Sequence, residues 1–273
     1  MTAPENDPFQ AAASDKLNRR FFVGISAAAT LCGPALALGD PAISEEHVTL
    51  PRPDVELPAY AALPVGAASD TPGVVVIMHV WGVDESIREV VRRLAEAGFA
   101  AIAPDLYGRF GAPSGDGVSD SSVFRPYAKR LDRAQYDGDI RAAAAWLTQR
   151  FAKNKIGILG FCMGGRIAML AAIDDRDAFS AVCPFYGAFT DVDPHAIRVP
   201  LCGSYGARDT SIPAESVNAF AASLDVPNDI RIYDDAGHAF CDDKRPSYVA
   251  SAAEDAWKRT ISFLKKYLGG AQA

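Results

Sequence analysis

Gly160-Phe161-Cys162-Met163-Gly164-Gly165 joins two apolar segments of different character. Before it, Lys155-Ile156-Gly157-Ile158-Leu159 is a run of strand length. After it, Arg166-Ile167-Ala168-Met169-Leu170-Ala171-Ala172-Ile173 reads as a buried helix of small and apolar residues. The stretch is therefore strand, tight turn, helix, with a cysteine at the turn. That is the setting of a nucleophile elbow, G-x-S-x-G, with sulfur in place of oxygen. A nucleophile on so sharp a turn sits in a strained backbone conformation, and neighbours without a Cβ let strand and helix approach. The helix N-terminus behind Cys162 favours negative charge and presents a backbone N–H to a developing oxyanion. A buried cysteine in a glycine-rich turn is the plain alternative, so the rest of the chain has to decide.

The 273 residues, 49% hydrophobic and 22% charged, suit one globular α/β domain. The formal net charge is -7, and no Lys/Arg run appears, so the electrostatic footprint of a nucleic-acid partner is missing. Beyond the N-terminal region no apolar stretch is long enough to span a bilayer.

Residues 1–37 read as a signal peptide. Asp15-Lys16-Leu17-Asn18-Arg19-Arg20-Phe21-Phe22 precedes an Ala-rich apolar run, Val23 to Leu38, and Ala35-Leu36-Ala37 is a small-x-small cleavage site. Arg19-Arg20 before Phe21-Phe22 resembles a twin-arginine signal. This predicts a periplasmic or exported protein without a stable membrane anchor after cleavage, or a cytoplasmic one if the signal is unused. An uncleaved N-terminal helix is the alternative.

Residues 45–270 form the expected catalytic domain. Glu45–Leu50 and Val55–Leu63 read as two short antiparallel strands. Val74-Val75-Val76-Ile77-Met78 is a continuous β-branched run of the kind buried on both faces of a parallel sheet. The alternation of strand and helix then repeats to Leu268, which predicts a mostly parallel central sheet with helices on both faces. In such sheets ligands bind beyond the carboxyl ends of the strands. The residues there are His79-Val80-Trp81, Asp105-Leu106-Tyr107, Cys162, Tyr186-Gly187, Asp209 and His238. The Gly- and Pro-rich segment from Tyr107 to Tyr127 is too long for a mere connection and is expected to cap the site.

A thiol nucleophile needs a base, and the base needs a group to orient it. In the chain order nucleophile, acid, histidine, His238 fits and His79 does not. The acid should end the strand between them, Leu201–Tyr205, where Asp209 lies. Asp209 could equally cap the helix that starts near Pro213. Asp191 and Asp193 are rival carboxylates, whereas Asp234 and Asp235 stand too close to His238 along the chain.

These motifs carry a family resemblance. The chain from about residue 45 to residue 268 resembles the dienelactone hydrolase family, the cysteine branch of the α/β-hydrolases. The likeness rests on Trp81-Gly82-Val83, Ala103-Pro104-Asp105-Leu106-Tyr107-Gly108-Arg109, the Cys162 turn, Gly206-Ala207-Arg208-Asp209 followed by Pro213, and Gly237-His238-Ala239-Phe240. It is supported by Arg245-Pro246-Ser247-Tyr248 leading into Ala253-Glu254-Asp255-Ala256-Trp257. The resemblance implies an α/β-hydrolase fold, with Cys162 as nucleophile, His238 as base and Asp209 as its orienter. It implies an oxyanion hole made by the backbone N–H groups of Val80 and Met163, and hydrolysis of an ester or lactone through a thioester. His79, Trp81, Tyr107, Arg109, Tyr186 and Phe240 are the candidates to touch substrate, though any of the aromatic residues can instead be core. Two departures stand out. Family members commonly have Glu where this chain has His79. Members acting on dienelactone hold its carboxylate with arginines, one of them four residues after the histidine, where this chain has Asp242. Arg109, Arg125 and Arg245 are the possible substitutes.

No metal or organic cofactor is called for, since the four histidines and five cysteines show no C-x₂-C ligand spacing. The expected partner is a small ester or lactone, and the protein is expected to act as a monomer. Cys183 and Cys202 read as inert core thiols, and Cys241 as a thiol near the site. Two other functions fit the same rhythm: an inactive small-molecule binding protein, and a flavodoxin-like oxidoreductase. The latter lacks a phosphate-cradling loop after its first strand.

Overall fold

The computed structural model describes residues 43–151, 153 and 155–269, and the segment read as a signal lies outside them. The order of elements follows the alternation of apolar periods. β1 (Ile43–Pro51) and β2 (Glu56–Pro64) form the antiparallel pair, followed by β3 (Gly73–Ile77), α1 (Glu85–Glu96) and β4 (Ala100–Pro104). Then come α2 (Arg125–Ala128), α3 (Arg133–Arg150), β5 (Ile156–Phe161) and α4 (Met163–Asp174). The last are β6 (Ala181–Phe185), β7 (Leu201–Gly206), α5 (Ala214–Ala222), β8 (Asn228–Tyr233) and α6 (Ala250–Leu268).

The eight strands make one sheet in the order β1-β2-β4-β3-β5-β6-β7-β8. β1 and β2 are antiparallel to their neighbours, and every pairing from β4 to β8 is parallel. All residues of β3, β4, β5, β6 and β7 are buried. A strand buried along its whole length has helices over both faces, which is why these runs are continuously apolar instead of alternating. β8, by contrast, has only exposed and half-buried positions and lies at the sheet edge.

The strand order doubles back between β4, β3 and β5, so the carboxyl ends of β3 and β5 lie side by side, with Ile77 opposite Gly160. That juxtaposition brings the His79–Gly82 turn next to Cys162. Asp84 then starts α1: its side chain accepts the Ile87 N–H at 3.2 Å, an N-cap that ends the turn where the helix must begin. The Tyr107–Tyr127 segment contains two short 3-10 turns, at Gly108–Phe110 and Ser121–Val123, and leads into α2. Among the described residues no helix is long and apolar enough to cross a membrane, and no cluster of three His, Cys, Asp or Glu side chains is placed to hold a metal ion.

Candidate active site

Cys162 sits between β5 and α4 with φ 55° and ψ -117°, a conformation costly for a residue with a side chain. The turn closes because two neighbours lack one. A Cβ on Gly160 would run into the backbone of Gly164, and a Cβ on Gly164 into the carbonyls of Ile77 and Met78. The Cys162 N–H donates to the Phe185 carbonyl at 3.0 Å, so the adjacent strand holds the turn as well.

His238 Nε2 is 3.0 Å from Cys162 Sγ, and His238 Nδ1 is 2.6 Å from Asp209 Oδ2. The other oxygen of Asp209 accepts the N–H groups of Ser211 at 2.8 Å and Ile212 at 3.3 Å. Asp209 therefore caps the turn before α5 with one oxygen and meets His238 with the other; the two readings of this residue hold together. Asp191 and Asp193 are not in this line: Asp191 pairs with Arg166, Asp193 accepts the His195 N–H at 3.0 Å, and the His238 ring is met by Asp209. Burial works against a charged His238, but its hydrogen bonds to Asp209 and to the Cys162 sulfur outweigh that and push its pKa up to about 10. For Asp209, burial favours the neutral acid and is outweighed by His238 and the two N–H donors, so its pKa is lowered.

A cavity of about 420 Å³ opens over the sulfur. Val80, Trp81, Met163, Tyr186 and Ala239 give it apolar walls, His79 and Asp242 also line it, and Ser121, Arg125 and Ala128 close it from the segment before α3. That segment thus walls the site, as its length suggests. It is tied down by Asp116, which pairs with Arg88 at 2.9 Å and accepts the Glu85 N–H at 2.7 Å.

His79, Trp81 and Tyr186 border the cavity, but three other candidates do not. Arg109 is held by Asp54 and by the fully buried Asp139, linking the Gly108–Phe110 turn to the β1–β2 hairpin and to α3. Tyr107 is buried beneath the site, its hydroxyl donating to the Val80 carbonyl at 3.2 Å. Phe240 is fully buried against Tyr186 and Tyr233. Each follows a strand end, yet its side chain turns into the protein. Cys241 faces a separate cavity of about 370 Å³ with Arg93 and Trp257, and burial raises its pKa. Cys183 and Cys202 are buried in the sheet.

Arg245 is also committed. Its Nη2 is 3.2 Å from Asp84 and its Nε 3.1 Å from Asp242, its Nη1 donates to the Val118 carbonyl at 2.9 Å, and its guanidinium lies 3.6 Å over the Trp81 ring. Asp242 is engaged further, accepting from Ser86 at 2.8 Å and from the Lys244 N–H at 3.0 Å. Arg125 is the remaining cation on the cavity. It is exposed, and it has no ion-pair partner among the described residues. Neither Arg245 nor Asp84 can be assigned from spacing alone, because their partners come from three separate elements.

A mostly parallel eight-stranded sheet with a strained Cys turn after β5, an acid after β7 and a histidine after β8 defines an α/β-hydrolase. Comparison with known proteins narrows this. The model of the dienelactone hydrolase family matches residues 57–268. The chain is 35% identical over 258 residues to the "Putative carboxymethylenebutenolidase" of Escherichia coli (strain K12), covering 89% of this chain and 94% of that one. It is 32% identical to the protein of the same name from Methylorubrum extorquens, covering 98% and 99%. The crystal structure of a "Putative Dienelactone Hydrolase" from Klebsiella pneumoniae superimposes with a TM-score of 0.74 at 31% identity, covering 83% of this chain and all of that one. The chain belongs to the dienelactone hydrolase family and is a hydrolase of that family.

Proposed function

We propose that this hydrolase cleaves a small ester or lactone by acyl transfer to Cys162. The observation that carries the reading is the continuous line from Cys162 Sγ through His238 to Asp209, at 3.0 and 2.6 Å, opening on an apolar cavity. The sulfur, its proton held by His238, attacks the carbonyl carbon and forms a tetrahedral oxyanion. The N–H groups of Val80 and Met163 stabilise that charge, an effect of about 3 kcal/mol per donor. His238 protonates the leaving alkoxide as the C–O bond breaks, which leaves a thioester on Cys162. It then takes a proton from water, whose oxygen attacks the thioester and releases the acid and the thiol. Asp209 keeps the imidazole in the tautomer that presents Nε2 to sulfur.

The names of the relatives point to lactones that carry a carboxylate, and Arg125 is the side chain here suited to meet one. An inactive binding protein would have no use for the strained Cys162 turn. Hydrolysis of a p-nitrophenyl ester, before and after thiol alkylation and in Cys162→Ala, separates the readings. The enzyme reading expects both treatments to abolish turnover, and retention of more than about a hundredth of the rate would contradict it.

Export by the twin-arginine route is part of the same proposal, supported by Arg19-Arg20 and Ala35-Leu36-Ala37. Residues 1–44 fused to a reporter should carry it across the membrane, and replacing both arginines by Lys should stop it. Normal export of the double variant would mean a different signal.

A further inference from the structure

Val80 lies between two peptide units, and each is fixed in a different way. In the unit before it, the His79 carbonyl accepts the Gly82 N–H at 3.2 Å. In the unit after it, the Val80 carbonyl accepts the Tyr107 hydroxyl at 3.2 Å, while the Trp81 N–H donates to His79 Nδ1 at 3.2 Å. Every other polar group of the two peptide units is thus engaged, and the Val80 N–H has no acceptor among the described residues. Val80 itself lines the cavity that holds Cys162.

The imidazole of His79 is itself anchored. It is 5% exposed, and its ring packs edge-on against Trp81 at 5.0 Å. Because Nδ1 accepts the Trp81 N–H, the ring proton is on Nε2. Nε2 lies 3.0 Å from Asp84 Oδ1, off the line of an ideal hydrogen bond, and Asp84 is in turn paired with Arg245. Neither ring nitrogen is left to act as a base on substrate. The ring reaches back to its own turn, so its geometric effect falls on the backbone.

We infer that His79 and Tyr107 are positioning residues that clamp the Val80–Trp81 peptide from its two sides and thereby aim the Val80 N–H at the oxyanion. This rests on the proposed role of Cys162 and Val80. Tyr107 is suited to the task because its hydroxyl also lies 3.8 Å from the sulfur of Met163, whose N–H is the other proposed donor. One buried phenol therefore touches both residues of the hole. Loosening the clamp lets the peptide plane rotate. That misplaces a donor needed only when charge develops on oxygen, so it lowers kcat and spares KM.

The test compares two reactions of the same sulfur. Ester hydrolysis passes through an oxyanion; alkylation by iodoacetamide does not. Asn carries an amide oxygen at the branch where His has Nδ1, whereas Gln carries its amide at the position of Nε2. In His79→Gln, kcat for p-nitrophenyl acetate should fall by about thirtyfold or more, part of the 10²–10³ that a lost oxyanion donor costs. KM and the rate of Cys162 alkylation, measured against a Cys162→Ala blank, should hold. His79→Asn, which restores an acceptor for the Trp81 N–H, should recover most of the loss. Tyr107→Phe should lower kcat by about fivefold, the factor one neutral hydrogen bond is worth. A kcat in His79→Gln equal to that of the wild type overturns the inference. So does a parallel fall of turnover and alkylation in both His79→Gln and Tyr107→Phe, or an Asn variant no better than Gln. Turnover surviving in Cys162→Ala would instead sink the parent reading and leave the clamp without a reaction to serve.

Discussion

Asp209 Oδ2 approaches His238 Nδ1 to 2.6 Å while its Oδ1 is held by two backbone N–H groups. The carboxylate is thus fixed before it meets the imidazole, which keeps the second nitrogen directed at Cys162. Asp209→Asn preserves the shape and offers an amide that can donate to Nδ1, turning the tautomer so that Nε2–H faces sulfur. We expect kcat to fall by at least about a hundredfold with the fold intact. A variant within a fewfold of the wild type would remove Asp209 from the chemistry.

The raised pKa of His238 links the site to stability. Its value in the unfolded chain is near 6.5 and in the folded protein about 10. The folded state therefore binds the proton more tightly, and the contribution is fully present below pH 6.5 and lost as pH rises toward 10. The difference in Tm between the wild type and His238→Gln should shrink across that window. A difference that stays constant from pH 6.5 to 10 would mean that His238 gains no such partner.

Arg125 is expected to select charge. Arg125→Ala should raise KM for a carboxylate-bearing ester by about tenfold, as the loss of a charge-assisted hydrogen bond does, and leave KM for a neutral ester of the same size unchanged. Equal effects on both esters would make Arg125 a wall and not a binding group.

Arg109 should behave in the opposite way. Removing it leaves the buried Asp139 with Arg52 alone, 3.0 Å away. Arg109→Ala should destabilise the protein by about 3 kcal/mol, the low end for breaking a buried pair, with KM unchanged for neutral and anionic esters. A raised KM at unaltered Tm would return Arg109 to the pocket.

The contrast between these two arginines shows what can be read from a chain and what cannot. The line of Cys162, His238 and Asp209 is legible because each residue follows a strand end, in an order the topology imposes, and the cap and the His238 contact of Asp209 use different oxygens and do not compete. The βαβ rhythm is legible for a related reason: strands buried on both faces leave continuous apolar runs. Arg109 and Tyr107 also follow a strand end, but whether a side chain there faces the cavity depends on φ, ψ and neighbours from distant elements. Asp139, which captures Arg109, is 30 positions away on α3. The contacts around the Val80–Trp81 peptide are invisible for the same reason, since they depend on a phenol from the loop after β4 and on the direction of one ring nitrogen.

The central claim is that an acyl group passes through Cys162. The direct measurement is an acid quench during the first turnover of a p-nitrophenyl ester, followed by intact mass and peptide mapping. One acyl group should appear per protein, on the peptide that contains Cys162, and it should be labile to hydroxylamine as a thioester is. A burst of nitrophenol with no adduct on Cys162, or an adduct on another residue, would contradict the account.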